Sequence, residues 1–303
     1  MAAALIVLLV AGPFTPQWVL FLITVSFGKG LVVLGLLLLL RTGLVSFGQG
    51  LYYCMGAYTA GSIGLALGIS DAVLSLVSGA LMAGLLAFVL GFLLAGYRGI
   101  FFAMLSLAFS MILYGLLVKT AMLGSTDGFN LGVPTLLGFT FSGSWTHYAI
   151  YALACLTVFL AALIMNYYLK TPLGRLSPAI KDNEIRVEYM GASVRRAIHI
   201  KYVFAATLAG LGGALTAVTV GHIDPEMAYW TTSGEFVFIT ILGGTGSVLA
   251  PFLGALIFDS IRSFAYEYSP NTWQMVLGSA LLLVILFMPA GLWSVFNLRR
   301  REV

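Results

Sequence analysis

The sequence predicts an all-α fold, a polytopic transmembrane bundle of about nine or ten spans that makes one domain over residues 1–303. Three observations predict it. Of the 303 residues, 60% are hydrophobic and only 9% are charged, against roughly 25% charged in a soluble domain, so a soluble fold would lack the polar side chains to cover itself. The apolar runs are long: residues 19–40 hold a single charge, Lys29, and residues 72–96 hold none, and about 20 apolar residues suffice to cross the hydrocarbon layer as a helix. The runs are also unbroken, which excludes the alternating short segments of a transmembrane β-barrel.

Hydropathy places spans near 17–40, 48–69, 72–96, 100–119, 147–169, 202–221, 230–245, 250–267 and 273–296. Residues 2–12 are too short to span alone and are followed by Pro13 and Pro16. They form either a tilted interfacial piece or the start of a kinked first span. A signal peptide is disfavoured because no basic residue precedes the apolar stretch.

Charge sets the orientation. Seven Lys and Arg and three Asp and Glu fall within residues 170–201, and Arg299, Arg300 and Arg301 form a second basic group. Cytoplasmic flanks concentrate Lys and Arg, so both groups, and with them the C-terminus, are expected in the cytoplasm. Counting spans back puts Arg41 and Arg98 on the same side. The chain is thus expected to be a multi-pass protein of a bacterial inner membrane, in contact with lipid and without a nucleic-acid partner.

Small residues recur at every fourth position in three spans. Gly56, Ala60, Gly64 and Gly68 form one stripe; Gly79, Ala83, Ala87, Gly91 and Ala95 a second; Ala205, Ala209, Gly213, Ala217 and Gly221 a third. Such faces let membrane helices approach closely, and close packing is their expected role. Cys54 and Cys155 are far apart inside apolar segments and read as small packing residues.

The polar excursion at 170–201 is longer than a simple helix connection, typically 2–8 residues. Ser177-Pro178 looks like a helix start and Gly191 like a helix end, and Asp182 and Arg186 have the i,i+4 spacing of a stabilising pair. Apolar Ile180, Ile185, Val187, Tyr189 and Met190 are interleaved. A short helix of this kind can dock on a soluble partner or lie solvated, and composition does not choose between the two.

The residues 171–191, TPLGRLSPAIKDNEIRVEYMG, resemble the coupling loop of the LivM-type permeases of branched-chain amino acid ABC transporters. Four further blocks agree in the same order: GLVSFGQG at 43–50 with GAYTAG at 56–61; YRGIFFAMLSLAFSMIL at 97–113; GSTDGFNLGVP at 124–134; and WTTSGE at 230–235 with ILGGTGSVLAPFLGA at 241–255 and MPAGLW at 288–293. Gln49 departs from the family's frequent histidine, Arg41 sits in a turn that is commonly uncharged, and Pro178 interrupts a stretch that the family writes as continuous helix. The resemblance implies a permease subunit moved by partners: a second, LivH-type permease, two cytoplasmic ATPases and a periplasmic or lipid-anchored binding protein. ATP and magnesium would belong to the ATPases and no cofactor to this chain, which has no G-x-x-x-x-G-K-[ST] phosphate loop. Arg175, Asp182, Glu184, Arg186, Glu188 and Gly191 would couple to the ATPases.

Within the spans, ionisable groups are costly and mark functional or paired positions. Asp259 and Arg262, three apart on one helix, are expected to neutralise each other. Glu235 is a gate candidate, and Gln49, Tyr52, Tyr53, Ser106 and Ser110 are candidates to line a pathway. His147, His199 and His222 are scattered, so no metal site is expected. No catalytic residues are expected: the residues offer no clustered carboxylates and no serine–histidine arrangement. Cargo other than branched-chain amino acids, such as urea or short amides, is an alternative, and an ion-coupled carrier is a more distant one.

Overall fold

The computed structural model describes residues 2–68, 70–136, 138–139, 143–268, 270–288 and 291–294. The basic group Arg299 to Arg301 and the end of the 273–296 span lie outside the described residues.

The expected spans appear as helices α2 (Gln17–Arg41), α3 (Gln49–Leu67), α4 (Ala72–Leu94), α5 (Gly99–Lys119), α6 (Ser144–Lys170), α9 (Val194–Val220), α10 (Trp230–Gly243), α11 (Ala250–Tyr268) and α12 (Trp273–Phe287). Of these, α2, α4, α5, α6 and α9 are long and apolar enough to cross a membrane individually. The 14 residues of α10 reach about 21 Å at 1.5 Å per residue, less than the ~30 Å hydrocarbon layer. The 230–245 segment is therefore a partial crossing, preceded by a 3-10 turn at Pro225–Ala228.

The first ten residues after Met1 form α1 (Ala2–Ala11). It does not continue into α2, because a 3-10 turn at Gly12–Phe14 and the extended Thr15 and Pro16 intervene. It lies on α6, where Tyr148 and Tyr151 donate to the carbonyls of Leu9 and Leu8, each at 3.1 Å. Among the described residues the strands are two short segments, β1 (Phe129–Asn130) and β2 (His222–Ile223), paired antiparallel at one end of the bundle.

Helix α9 is the central column, flanked by α2, α3 and α4. The small-residue stripes explain the contact. A Cβ on Gly56 would run into the backbone of Gly210, one on Gly210 into Ala83, and one on Gly213 into the carbonyl of Tyr53. Backbone touches backbone along this seam, which only glycine and alanine permit. The middle of α2 from Leu31 to Leu39 is buried all round, as an apolar helix inside a bundle should be. Helices α4 and α5 instead present large apolar side chains outward, among them Leu81, Leu85, Ile100, Phe101 and Met104. That is the reverse of a soluble surface and suits lipid or a membrane partner.

Residues 171–191 fold as two short helices, α7 (Pro172–Asp182) and α8 (Glu184–Tyr189), and three boundaries differ from expectation. The start is Thr171-Pro172: the Thr171 hydroxyl accepts from the Gly174 N–H at 3.3 Å, with proline at the first helical position. Ser177 is an interior, buried residue of α7, and Pro178 lies within the helix. Asn183 is extended and caps α8, accepting from the Arg186 N–H at 2.9 Å. Asp182 and Arg186 therefore sit on different helices and do not form their i,i+4 pair. Gly191 does end α8, in the left-handed region at φ +84°, with its N–H bonded to Glu188 and that of Ala192 to Val187. The next helix begins at Val194, capped by Ser193, well before the expected 202.

Candidate functional site

Two constellations carry charge into the fold. The first lies midway along the bundle. Lys29, halfway along α2, donates to Asp259, halfway along α11, at 2.6 Å, and the Ser26 hydroxyl donates to the other Asp259 oxygen at 3.0 Å. Lys29 also stands 3.8 Å from Glu235 of α10. Arg262 donates through Nη1 to both Glu235 oxygens, at 2.9 and 3.1 Å, and lies over the Trp273 ring of α12, 5.2 Å from its centroid. The expected Asp259–Arg262 pair is thus corrected. Although one turn apart, each pairs with a group on another helix: the buried Asp259 has the buried Lys29 as its compensating charge, as a buried carboxylate needs, and the more exposed Arg262 has Glu235.

The four groups form a chain of alternating sign, Asp259–Lys29–Glu235–Arg262, with no net formal charge. It separates two cavities. One, of about 580 Å³, lies among α2, α9 and α11 and has Lys29, Asp259 and Arg262 in its wall. The other, of about 600 Å³, lies among α10, α11 and α12 and has Glu235, Phe238, Phe258 and Trp273 in its wall. Volumes of 300–1,000 Å³ are typical of small-molecule sites.

The second constellation is at the end of the bundle that carries α7 and α8. Arg98, just before α5, donates through Nε and Nη2 to Glu184 of α8 at 2.6–2.9 Å, while its Nη1 bonds the carbonyls of Ala95 and Tyr97 at 2.7 and 2.8 Å. Ile180 and Val187 are buried against the bundle in the same core as Leu44 and Leu94. The opposite face of α8 is free: Ile185, Tyr189 and Met190 are 66%, 87% and 80% exposed, and Arg175, Asp182, Arg186, Glu188 and Gly191 are exposed with them. Glu184 is the exception among the six expected coupling residues, for it faces inward. The end of α2 lies here too, with Gly43 against Lys181 of α7 and Arg41 bonding the Thr245 carbonyl, so Arg41, Arg98 and the polar excursion share one end of the bundle.

The residues expected to line a pathway are buried and mostly committed to helix contacts. Tyr52 donates to the Tyr202 hydroxyl at 2.8 Å. Ser106 accepts from the Phe47 N–H at 3.1 Å, and Ser110 donates to the Ala228 carbonyl at 2.7 Å. Tyr53 meets Phe236 edge to face, with centroids 5.2 Å apart. Gln49 is fully buried, and neither amide atom has a hydrogen-bond partner among the described residues. No group of three or more His, Cys, Asp or Glu suited to a metal occurs among the described residues.

Residues 18–286 match the sequence profile of the family described as the branched-chain amino acid transport system permease component. The chain belongs to this family. The permease is 31% identical to the high-affinity branched-chain amino acid transport system permease protein LivM of Escherichia coli K12, over 95% of its own length and 73% of the relative's. Against the LivH protein of Salmonella typhimurium LT2 it is 26% identical, over 82% of its own length and 85% of the relative's. A probable LivM protein of Methanocaldococcus jannaschii is 25% identical over 58% of this chain and 55% of that one. No solved structure gives a significant match. These likenesses make it a LivM-type permease, and with its apolar helices it is a multi-pass inner-membrane protein.

Two features of the permease were not read from its sequence. Lys29 looked like a lone charge in its run, yet away from their ends the expected spans contain two cations, Lys29 and Arg262, and two anions, Glu235 and Asp259. That balance was the available signal for a cross-helix network. For Arg98–Glu184, the signal was an arginine opening a span on the same side as an acidic coupling segment.

Proposed function

We propose that the chain is the membrane-spanning permease subunit of an ATP-driven importer for branched-chain or related amino acids. It pairs with a LivH-type permease and receives its substrate from a periplasmic or lipid-anchored binding protein. It is driven from the cytoplasm, where its C-terminus lies, by two ATPases that supply the ATP and magnesium chemistry. The observation that carries this reading is the two-faced α7–α8 unit. Its inner face is fastened to α5 by Arg98–Glu184 and to the core by Ile180 and Val187, while its outer face offers exposed Ile185, Tyr189 and Met190 between charged side chains. An apolar patch rimmed by charge suits a groove on a soluble partner. A push there moves the start of α5 as a rigid body, the usual form of such transitions.

Reconstitution into proteoliposomes with the LivH-type partner, both ATPases and the binding protein tests the reading. Leucine uptake should require ATP and all partners. Uptake by this chain alone, driven by an ion gradient, would overturn it. That second reading draws on the buried Lys29–Asp259 pair at mid-span, where ion-coupled carriers place their coupling sites.

A further inference from the structure

The charged chain has a shape that fits one class of solute. The cavity among α2, α9 and α11 has at its mouth Trp18, Val220 and Tyr266, which lie at or near the ends of their helices, on the side away from α7 and α8. It leads to Lys29 and Asp259, midway through the bundle. From Trp18 to Lys29 is eleven helical residues, about 16 Å. Between mouth and floor the α2 wall is apolar, with Leu22 and Val25. Both ends of the floor are ionic and of opposite sign: Asp259 and Arg262 stand one turn apart on one face of α11, do not bond each other, and share this cavity. Arg262 uses only Nη1 on Glu235. Its Nε and Nη2 make no hydrogen bond among the described residues, and its side chain is 39% exposed.

From this geometry we propose that the cavity is the outer substrate site of the pathway and that it selects a zwitterionic α-amino acid with an apolar side chain. The α-carboxylate is taken by the free Nε/Nη2 edge of Arg262, a planar fork suited to a carboxylate. The α-ammonium is taken by Asp259, and the side chain lies against Leu22 and Val25. The Glu235–Arg262 pair closes the floor toward the second cavity, and Glu235 receives the ammonium when that pair opens. Charge decides the selection. The four resident groups sum to zero, so a zwitterion enters without adding net charge to a poorly hydrated site, whereas a solute with only one charged end leaves an uncompensated ion there. Urea, with no charge, matches neither end. The site rests on the importer reading and narrows its cargo.

The test uses the purified complex of the permease with its membrane partner and ATPases, without binding protein. Trp273 reports on Arg262, which lies over its ring. Leucine should change the tryptophan emission saturably, and Trp273→Phe should abolish the change. Leucinol, which keeps only the ammonium, 4-methylpentanoate, which keeps only the carboxylate, and urea should give no such change. In proteoliposomes with binding protein and ATP, the electroneutral double variant Glu235→Gln/Arg262→Gln should still assemble with its partners. It should import leucine about tenfold more slowly or worse, as expected for the loss of a charge-assisted contact. Equal responses to leucine, leucinol and urea, no response to leucine, or wild-type uptake by an assembled double variant would each overturn the site. If the double variant does not assemble, the wild-type titration decides. Wild-type leucine uptake is measured on the same preparation: ATP-independent uptake overturns the importer reading, and ATP-driven uptake with unselective emission overturns only the site.

Discussion

Removing the arginine that ties the polar excursion to the bundle should separate ATP hydrolysis from transport. Arg98 spends Nε and Nη2 on Glu184 and Nη1 on two carbonyls of its own turn, so the guanidinium is fixed at both ends. A well-formed charge-assisted bond contributes roughly 1.5–3 kcal/mol and an exposed ion pair only about 0.2–1 kcal/mol. The two side chains are 32% and 31% exposed, between those limits, and solvent screening brings the pair to about 1–2 kcal/mol. That energy corresponds to roughly a 5- to 30-fold shift between an engaged and a slipped lever. In proteoliposomes holding the full assembly, Arg98→Ala should lower leucine imported per ATP hydrolysed by that factor, with hydrolysis itself retained. Arg98→Lys keeps the charge without the fork and should fall between wild type and Arg98→Ala. A wild-type ratio in Arg98→Ala would refute transmission through this contact.

Three further outcomes are expected. Asp259→Ala leaves Lys29 buried without its 2.6 Å partner and should lower stability by about 3–5 kcal/mol, seen as a fall in the unfolding midpoint in detergent; Lys29→Met/Asp259→Met should recover most of that midpoint while failing to import leucine. Gly213→Val drives a side chain into the Tyr53 carbonyl and should cost about 1–3 kcal/mol through overpacking of α3 against α9, read as a loss of monodisperse protein on gel filtration. Tyr189→Cys, at a site 87% exposed and with buried Cys54 and Cys155 replaced by alanine, should react with an impermeant thiol reagent in inside-out vesicles and not in intact cells; the reverse pattern would put α8 outside and remove the docking argument.

What the sequence made legible was what one dimension contains. Apolar length located the helices, and four-residue spacing of glycine and alanine located the seam on which α3 and α4 meet α9, because period and bulk are local properties. Boundaries set by charge were misplaced. Hydropathy starts the sixth expected span at Tyr202, but Arg195, Arg196 and Lys201 are good helix formers, so α9 already begins at Val194. The 230–245 segment is as apolar as a true span, and only the turn at Pro225–Ala228 shows that α10 starts partway through the bundle. The i,i+3 pairing of Asp259 with Arg262 failed for a different reason: the partner that wins, Lys29, is 230 positions away, and spacing carries no information about it. The same holds for Glu184, whose inward orientation depends on where Arg98 lies in space.

The division of labour within the fold follows from which contacts can change. Along α2, α3, α4 and α9 the helices touch backbone to backbone through glycine, as where Gly28 meets Gly212 and Gly56 meets Gly210. Such surfaces have no long side chains with which to re-form in a second register, so this half should move as one body. On the other half, α10 touches α11 through glycine at its far end, where Gly243 meets Ala250 and Gly254, and nearer its start through the Glu235–Arg262 ion pair, which can exchange partners; it begins beside α3, where the Gly50 N–H bonds the Ser233 hydroxyl at 3.0 Å. Helix α5 joins the two ends: Arg98 at its start holds Glu184, and Ser110 farther along bonds Ala228, in the turn that opens α10. On the importer reading, a displacement of α8 therefore reaches Ala228 in the turn that opens α10, seven residues before Glu235, through two hydrogen-bonded steps and one rigid helix. The charged chain is then the element whose partners must change as the pathway opens, which is why its polar groups are ion pairs, able to separate and re-form, rather than glycine seams.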